Sequence, residues 1–354
     1  MIQSIHIQNF KSIENQIFDF KPLTILTGTN SAGKSSVIQA ILFYINRANH
    51  NVVLNNYLHS LGTQRDLFFV NASKKQCTIL PIINGKEMLP MNMVFDLDTT
   101  QNDKVSSTQN AKCTPKFEQD IFYLSANRIG QENICQIQDN IKIGISGEYI
   151  FGFYEFYKNI RLENEKLIRK EANAESLNAQ VNFWLNKILD LNLMPLTQKI
   201  DNIRVKVSYH NFDLDGAEMS PFNLGAGVSY LTKILILGLS LKEGDILIVE
   251  NPEVHLHPKA ISRFAEFFMF LANGGIQVIL ETHSEHIINK MRYFVFKGQL
   301  SSKEVQIYYR ERFDKPFDSI RINDKGKYIN IDDKIIEFPA GFFDSDLDEL
   351  LEMM

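Results

Sequence analysis

No apolar run in this 354-residue sequence approaches the roughly 20 residues that a membrane-crossing helix needs. The longest, around Tyr230 to Leu241, is interrupted by Lys233, so no membrane span is expected. The N-terminus alternates polar and apolar residues like a strand and lacks the basic region and apolar run of a signal peptide. Cysteine is scarce. Cys77, Cys113 and Cys135 form no C-x-x-C pair and are odd in number, which excludes a disulfide framework and reads as free thiols in a reducing cytoplasm. Positive charge is not in excess either. With 37 Lys and Arg against 42 Asp and Glu the net charge is −5, so any nucleic-acid contact must come from a local basic patch. What is present is ordinary for a globular protein: 44% apolar and 22% charged residues exclude a disordered chain, a collagen and a coiled-coil rod. The length admits two average domains, or one elaborated by insertions.

Strands are expected at Ile2 to Phe10, Gln16 to Phe20 and Leu23 to Thr27, then a Gly-containing loop and a helix from Lys34 to Ile45. Apolar strand, loop and helix in that order open an α/β nucleotide-binding fold. Short β-type runs follow at Leu67 to Val70, Thr78 to Ile83, Met91 to Asp96 and Ile121 to Leu124, with a polar loop from Asp98 to Lys112. Leu162, Leu167, Leu177, Val181, Trp184, Ile188 and Leu191 recur mostly at three or four, which predicts two inserted helices. A β stretch at Ile203 to Tyr209 precedes an apolar helix (Val228 to Leu241), a strand (Ile246 to Val249), a helix (Pro258 to Ala272), a strand (Gln277 to Leu280) and a helix (Glu285 to Met291). Two strands, a turn at Pro339 to Gly341 and a short acidic helix end the chain. This order predicts an α/β core from residues 1–49 and 200–303, a β-rich extension (50–147), a helical insertion (148–199) and a C-terminal domain (304–354).

Four segments carry chemistry. Gly28-Thr-Asn30-Ser31-Ala-Gly33-Lys34-Ser35, followed by Ser36, is a complete G-x-x-x-x-G-K-S between an apolar strand and a helix. Its glycines let backbone N–H groups wrap a phosphate, Lys34 supplies positive charge to the β and γ phosphates, and the Ser35 hydroxyl is a magnesium ligand. The strand Ile246 to Val249 ends in Glu250-Asn251-Pro252-Glu253, which places a carboxylate where it can hold magnesium's water shell. His283 follows the next strand, where an imidazole can sense a γ phosphate. Gly225, Gly227 and Ser229 open the apolar helix and form a second anion-binding surface.

Together and in order, Asn9-Phe10-Lys11-Ser12, the phosphate loop, the Gly225 loop, Glu250 to Pro258 and Glu281-Thr-His-Ser resemble the ATP-binding-cassette branch of prokaryotic ATPases. The likeness is to the overcoming-lysogenization-defect (OLD) and RecF-like ATPases. The ending Phe338-Pro-Ala-Gly-Phe-Phe-Asp344 resembles an uncharacterised C-terminal domain carried by one subgroup, while residues 50–200 resemble nothing placed. The resemblance implies a P-loop NTPase of the ABC-ATPase head type that uses ATP and Mg²⁺. It also implies a head-to-tail homodimer with ATP between the phosphate loop of one subunit and the Gly225 loop of the other.

One departure bears on turnover. The cassette family usually has Asp then Glu here, whereas this chain has Glu250 in the magnesium position and Asn251 in the position of the base. An amide orients water but does not accept its proton, so Glu253 becomes the candidate base and slow hydrolysis is expected. Similar proteins carry an arginine near Arg128, and Gln131 is a candidate for the cassette family's magnesium-contacting glutamine; a solvated loop explains either residue equally. His255 and His257 read as part of a helix start rather than a metal cluster, and Asp344, Asp346 and Asp348 as first-turn helix acids.

The expectation is an ATP-dependent dimeric switch acting on a separate effector or a nucleic-acid complex in antiphage defence or DNA metabolism. A RecF- or SMC-type clamp on nucleic acid is the alternative. A stand-alone nuclease is disfavoured because only 71 residues follow His283. Arg161, Lys166, Arg169 and Lys170 interleave with Glu163, Glu165 and Glu171, which reads as a solvated helix face. A transporter subunit is disfavoured by the absence of the standard signature loop.

Overall fold

The computed structural model describes residues 1–46, 58, 60–70, 76–94, 115–138 and 143–339. The chain begins with β1 (Ile2–Phe10), β2 (Ile13–Asp19), β3 (Leu23–Gly28), α1 (Lys34–Asn46) and a single turn α2 (Gln64–Leu67). Next come β4 (Gln76–Ile83), β5 (Lys86–Glu87), β6 (Met91–Val94), β7 (Ile121–Leu124), β8 (Ile134–Gln136), α3 (Ile150–Tyr157) and α4 (Leu177–Leu189). Then follow β9 (Leu193–Lys199), β10 (Arg204–Asn211), β11 (Ala217–Met219), α5 (Ala226–Leu239), β12 (Ile246–Glu250), α6 (Pro258–Asn273), β13 (Gln277–Glu281) and α7 (Glu285–Phe296). The last described strands are β14 (Val305–Arg310), β15 (Asp318–Ile322) and β16 (Tyr328–Ile329). Two compact units divide the chain: Met1–Gln119 with Arg292–Met354, and Asp120–Met291.

In the first unit, β1 lies between β2 and β4 in an antiparallel sheet that β5 and β6 extend through β4. Ile2, Ile5, Ile7 and Phe10 of β1 are buried, which fixes its register, because a one-residue slip would turn them to solvent. β3 is buried along its whole length and pairs in parallel with β14, which continues antiparallel to β15 and β16. That double-sided burial explains why Leu23 to Thr27 read as a continuous apolar run.

In the second unit, β12 pairs in parallel with both β13 and β7, and all five residues of β12 are buried. Ile121–Leu124, expected within a β-rich extension, is thus a strand of this parallel sheet. A second sheet sets β10 among β8, β9 and β11. Helix α4 packs on α5 and α6, and Trp184 sits fully buried with its ring 5.2 Å from Phe267 and 5.0 Å from Phe270.

Several expectations change. The segment between α3 and α4 is irregular, with two short 3-10 turns, so the charges from Arg161 to Glu171 do not line a helix face. Gln180, buried in α4, accepts from Arg169 N at 2.9 Å and donates to the carbonyls of Arg169 and Ala174, and so meets the loop's backbone needs from the core. Leu162 and Leu167 are buried anchors of that loop, which is why their spacing imitated a helix. Leu193–Lys199, which gave no strand signal, forms a hairpin with β10, and Leu67 closes a helical turn instead of starting a strand. Cys77 and Cys135 are buried free thiols, and burial pushes Cys135 up to about 11. The Asp98 to Lys112 loop, Cys113, most of the Pro339 to Gly341 turn and the acids Asp344, Asp346 and Asp348 lie outside the described residues. Among the described residues no helix is long and apolar enough to cross a membrane.

Candidate nucleotide-binding site

The phosphate loop belongs to the first unit. β3 ends at Gly28 with φ +136°, and a Cβ there would lie 2.0 Å from the Arg310 carbonyl oxygen, so only glycine fits. Ser31 at φ 60° and Gly33 at φ 92° reverse the backbone, and Thr29, Asn30 and Ser31 form an exposed crest. Lys34 opens α1, is 3% exposed, and folds back so that its Nζ donates to Gly28 O at 3.2 Å and Thr29 O at 2.7 Å. An ammonium spanning the loop's own carbonyls is placed to meet an anion in the same loop. The first turn of α1 contains no acid, so the partial positive charge at the helix N-terminus is uncancelled. Ser35 is half-buried and Ser36 buried in that turn.

The second unit brings together Arg128, Glu250, Asn251, Glu253 and His283. Glu250 closes β12; its Oε2 accepts Ala126 N at 3.0 Å, and the Tyr123 hydroxyl also donates to its carboxylate. Asn251 turns into the left-handed region at φ 44°, and its N–H donates to Glu281 O at 2.7 Å. Arg128 holds this turn. Its guanidinium donates to Ser125 O at 2.9 Å, to Glu250 O and to Asn251 O at 2.7 Å. At 4% exposure Arg128 is a buried clamp and not a residue of a solvated loop, and burial lowers its pKa to about 10.

Glu253 Oε1 accepts the His283 N–H at 2.8 Å, and Thr282 also donates to this carboxylate. Its Oε2 is buried without a partner among the described residues, as is Asn251 Oδ1. Burial raises the carboxyls of both Glu250 and Glu253 above the usual carboxylate range, in each case against smaller opposing hydrogen bonds and the Arg128 charge. A carboxylate with one oxygen fixed, one unpartnered and a raised pKa is chemically suited to accept a proton. His283 is anchored through its backbone N–H and lies exposed at the end of β13.

The Gly225 loop is built by the same unit. Gly225 caps α5 and is exposed, and the first turn of α5 is free of acids. Gly227 is required by close approach, since a Cβ would lie 2.4 Å from the His255 carbonyl oxygen. Ser229 is placed differently from expectation: it is 1% exposed and hydrogen-bonded to Tyr209, because three residues into α5 its side chain faces the core. Gln131 donates its amide to Pro221 O at 3.1 Å and to Leu224 O, so it braces the loop ahead of Gly225. Just beyond it, fully buried Lys233 of α5 pairs with Glu132 and donates to Ile129 O at 3.0 Å. His255 stacks on Tyr230 at 5.3 Å and His257 accepts Lys259 N at 3.2 Å as the cap of α6. Tyr123, Tyr230 and Arg310 had no motif to announce them, because their roles arise from packing across elements; Thr282 stood in the His283 motif without a role of its own.

Comparison with known proteins agrees with this architecture. Residues 1–192 match the family described as "AAA ATPase domain", and residues 108–289 match "AAA domain, putative AbiEii toxin, Type IV TA system". The Old nuclease of Escherichia phage P2 is 25% identical over 336 residues, covering 81% of this chain and 57% of that protein. An ATP/GTP phosphatase of Helicobacter pylori is 24% identical over 323 residues, covering 81% of this chain and 86% of the other. The DNA repair protein RecN of Rickettsia prowazekii is 24% identical over 227 residues, 60% of this chain and 40% of RecN. The chain therefore spans little more than half the length of the phage protein. In fold it is similar to the Smc head bound to the C-terminal winged-helix domain of ScpA, with TM-score 0.52 and 12% identity over 96% of this chain and 98% of that one. A second Smc head, with an extended coiled coil and bound to the C-terminal domain of ScpA from Pyrococcus furiosus, gives 0.51 and 10% over 99% of each chain. The fold is that of a P-loop NTPase of the ABC-ATPase head type, and the chain belongs to the AAA ATPase domain family.

Proposed function

We propose that the protein is a slowly hydrolysing ATPase whose nucleotide state governs association of two copies and is passed to a separate effector or nucleic-acid complex. The observation that carries this reading is the phosphate loop, with Lys34 folded back over the loop's carbonyls, an acid-free helix N-terminus, and two glycines at positive φ where an added Cβ would clash. In this reading Lys34 and the loop N–H groups bind the β and γ phosphates. As the resemblance implies, the Ser35 hydroxyl is a candidate Mg²⁺ ligand and Glu250 a candidate carboxylate for the ion's water shell; the ion would neutralise charge on the transferred phosphoryl group. Glu253 takes the proton of the attacking water, Asn251 orients that water, and His283 contacts the γ phosphate. The Gly225 end of α5 receives the nucleotide bound by the other copy, and Gln131 acts by bracing that loop.

The OLD-like assignment, a role in antiphage defence or DNA metabolism and an association with nucleic acid belong to the same proposal. They are supported by the likeness to proteins named a nuclease and a DNA repair protein. Fluorescent-ATP binding and phosphate release on wild type, Lys34→Ala and Glu253→Gln test the chemistry. Lys34→Ala should lose binding. Glu253→Gln should bind but lose turnover by about 10²–10⁴-fold; wild-type turnover there would remove Glu253 from the mechanism. Salt-sensitive DNA binding that requires ATP would favour the clamp form of this reading.

A further inference from the structure

Arg310, the last residue of β14, lies beyond both family matches, which end at residues 192 and 289. It is 4% exposed, and its guanidinium uses nearly all of its donors. Nη1 donates to Ser12 Oγ at 3.0 Å, Nη2 to Ser12 O at 2.7 Å and to Phe313 O, and Nε to Lys315 O at 2.6 Å. The plane lies 4.9 Å from the Phe317 ring. None of these partners is a carboxylate.

The same guanidinium backs onto the phosphate loop. A Cβ on Gly33 would lie 2.9 Å from Arg310 Nη1 and 2.0 Å from Ser12 Oγ. Ser12 Oγ is in turn 3.3 Å from Ser36 Oγ, in the turn of α1 that starts at Lys34. The backbone at Arg310 touches the loop's other end: its carbonyl accepts Thr29 N at 3.2 Å, and the next carbonyl, of Glu311, accepts the Thr29 hydroxyl. One residue therefore meets the phosphate loop at both of its glycines.

We propose that Arg310 is a positioning residue for nucleotide binding, fixing Ser12, Gly33 and the first turn of α1 in the geometry that receives phosphate. The inference rests on the reading of Gly28–Ser36 as the phosphate site and adds that the strand after α7 completes it. Arg310 does not touch the nucleotide; it acts through Ser12 and the loop. Since the loop grips the phosphates before and during reaction alike, its loosening falls on KM more than on kcat. Lysine cannot reproduce the fork, because a single ammonium cannot serve Ser12, Phe313 and Lys315 in one plane.

The test is steady-state ATPase and ATP affinity on the full chain for Arg310→Gln, Arg310→Lys, Ser12→Ala, the Arg310→Gln/Ser12→Ala double variant and Lys34→Ala. Arg310→Gln should raise KM for ATP roughly tenfold with kcat within about threefold, and Arg310→Lys should recover only part of the loss. Ser12→Ala should raise KM less, and the double variant should be no worse than Arg310→Gln alone, since both break one linkage. If Arg310→Gln does not fold, Ser12→Ala decides, and an unchanged KM there overturns the proposal. Folded Arg310→Gln with wild-type KM, or a fall confined to kcat, also overturns it. If Lys34→Ala binds ATP like wild type, the phosphate-site reading itself fails, an outcome distinct from failure at Arg310.

Discussion

Single residues divide into those a motif announces and those only packing reveals. Lys34, Glu250 and His283 could be named from the sequence because strand, loop and helix fix where their side chains emerge. Ser229 could not be placed, since which side of α5 it faces depends on Tyr209 in another element. Arg128 and Gln131 were singled out only by resemblance, with a solvated loop an equal reading; their partners are backbone carbonyls, which leave no trace in the sequence. The raised carboxyl of Glu253 has two measurable consequences. Its protonated form cannot accept a proton, so the acid limb of kcat should lie above the ordinary carboxylate range and disappear in Glu253→Gln. A carboxyl whose pKa is higher folded than unfolded loses stability as pH rises from the usual carboxylate range through the raised value. Glu253→Gln should therefore melt higher than wild type at neutral pH and show a flatter pH dependence, read by thermal melts across pH. A lower melting temperature at neutral pH would contradict the stated cause of the shift.

Elements were legible where their periodicity was long and simple. β3, β12 and β13 are buried on both sides, and α1, α5 and α6 pair apolar runs with clear starts, so they form close to where the sequence places them. In the helical insertion α4 forms where Leu177, Val181, Trp184 and Ile188 predict it, whereas residues 158–176 were not legible, because buried leucines at helical spacing also anchor a loop when Gln180 supplies the backbone hydrogen bonds. Gln180→Leu should for that reason destabilise the second unit despite its larger apolar surface, leaving the amide of Arg169 and the carbonyls of Arg169 and Ala174 unsatisfied at about 1–3 kcal/mol each. Trp184→Ala, which empties the space between α4 and α6, should cost about 3–5 kcal/mol. Chemical denaturation followed by circular dichroism checks both; equal stability of Gln180→Leu and wild type would show that water replaces the amide without loss.

For the whole molecule, the absences noted in the sequence remain informative. Among the described residues no helix is long and apolar enough to cross a membrane and no group of three or more His, Cys, Asp and Glu is placed to hold a metal ion, while the candidate nucleotide-binding residues lie on the phosphate loop and the Glu250 turn. The chain's share of its relatives leaves activities carried by longer proteins outside what the fold itself establishes. The central claim is that ATP held at Gly28–Ser36 joins two copies. Sedimentation velocity of the wild type and Lys34→Ala, with and without ATP and magnesium, tests it most directly. The wild type should shift from monomer to dimer only with ATP, and more completely in Glu253→Gln, while Lys34→Ala stays monomeric under every condition. Equal dimerisation of Lys34→Ala and wild type with ATP would contradict the account.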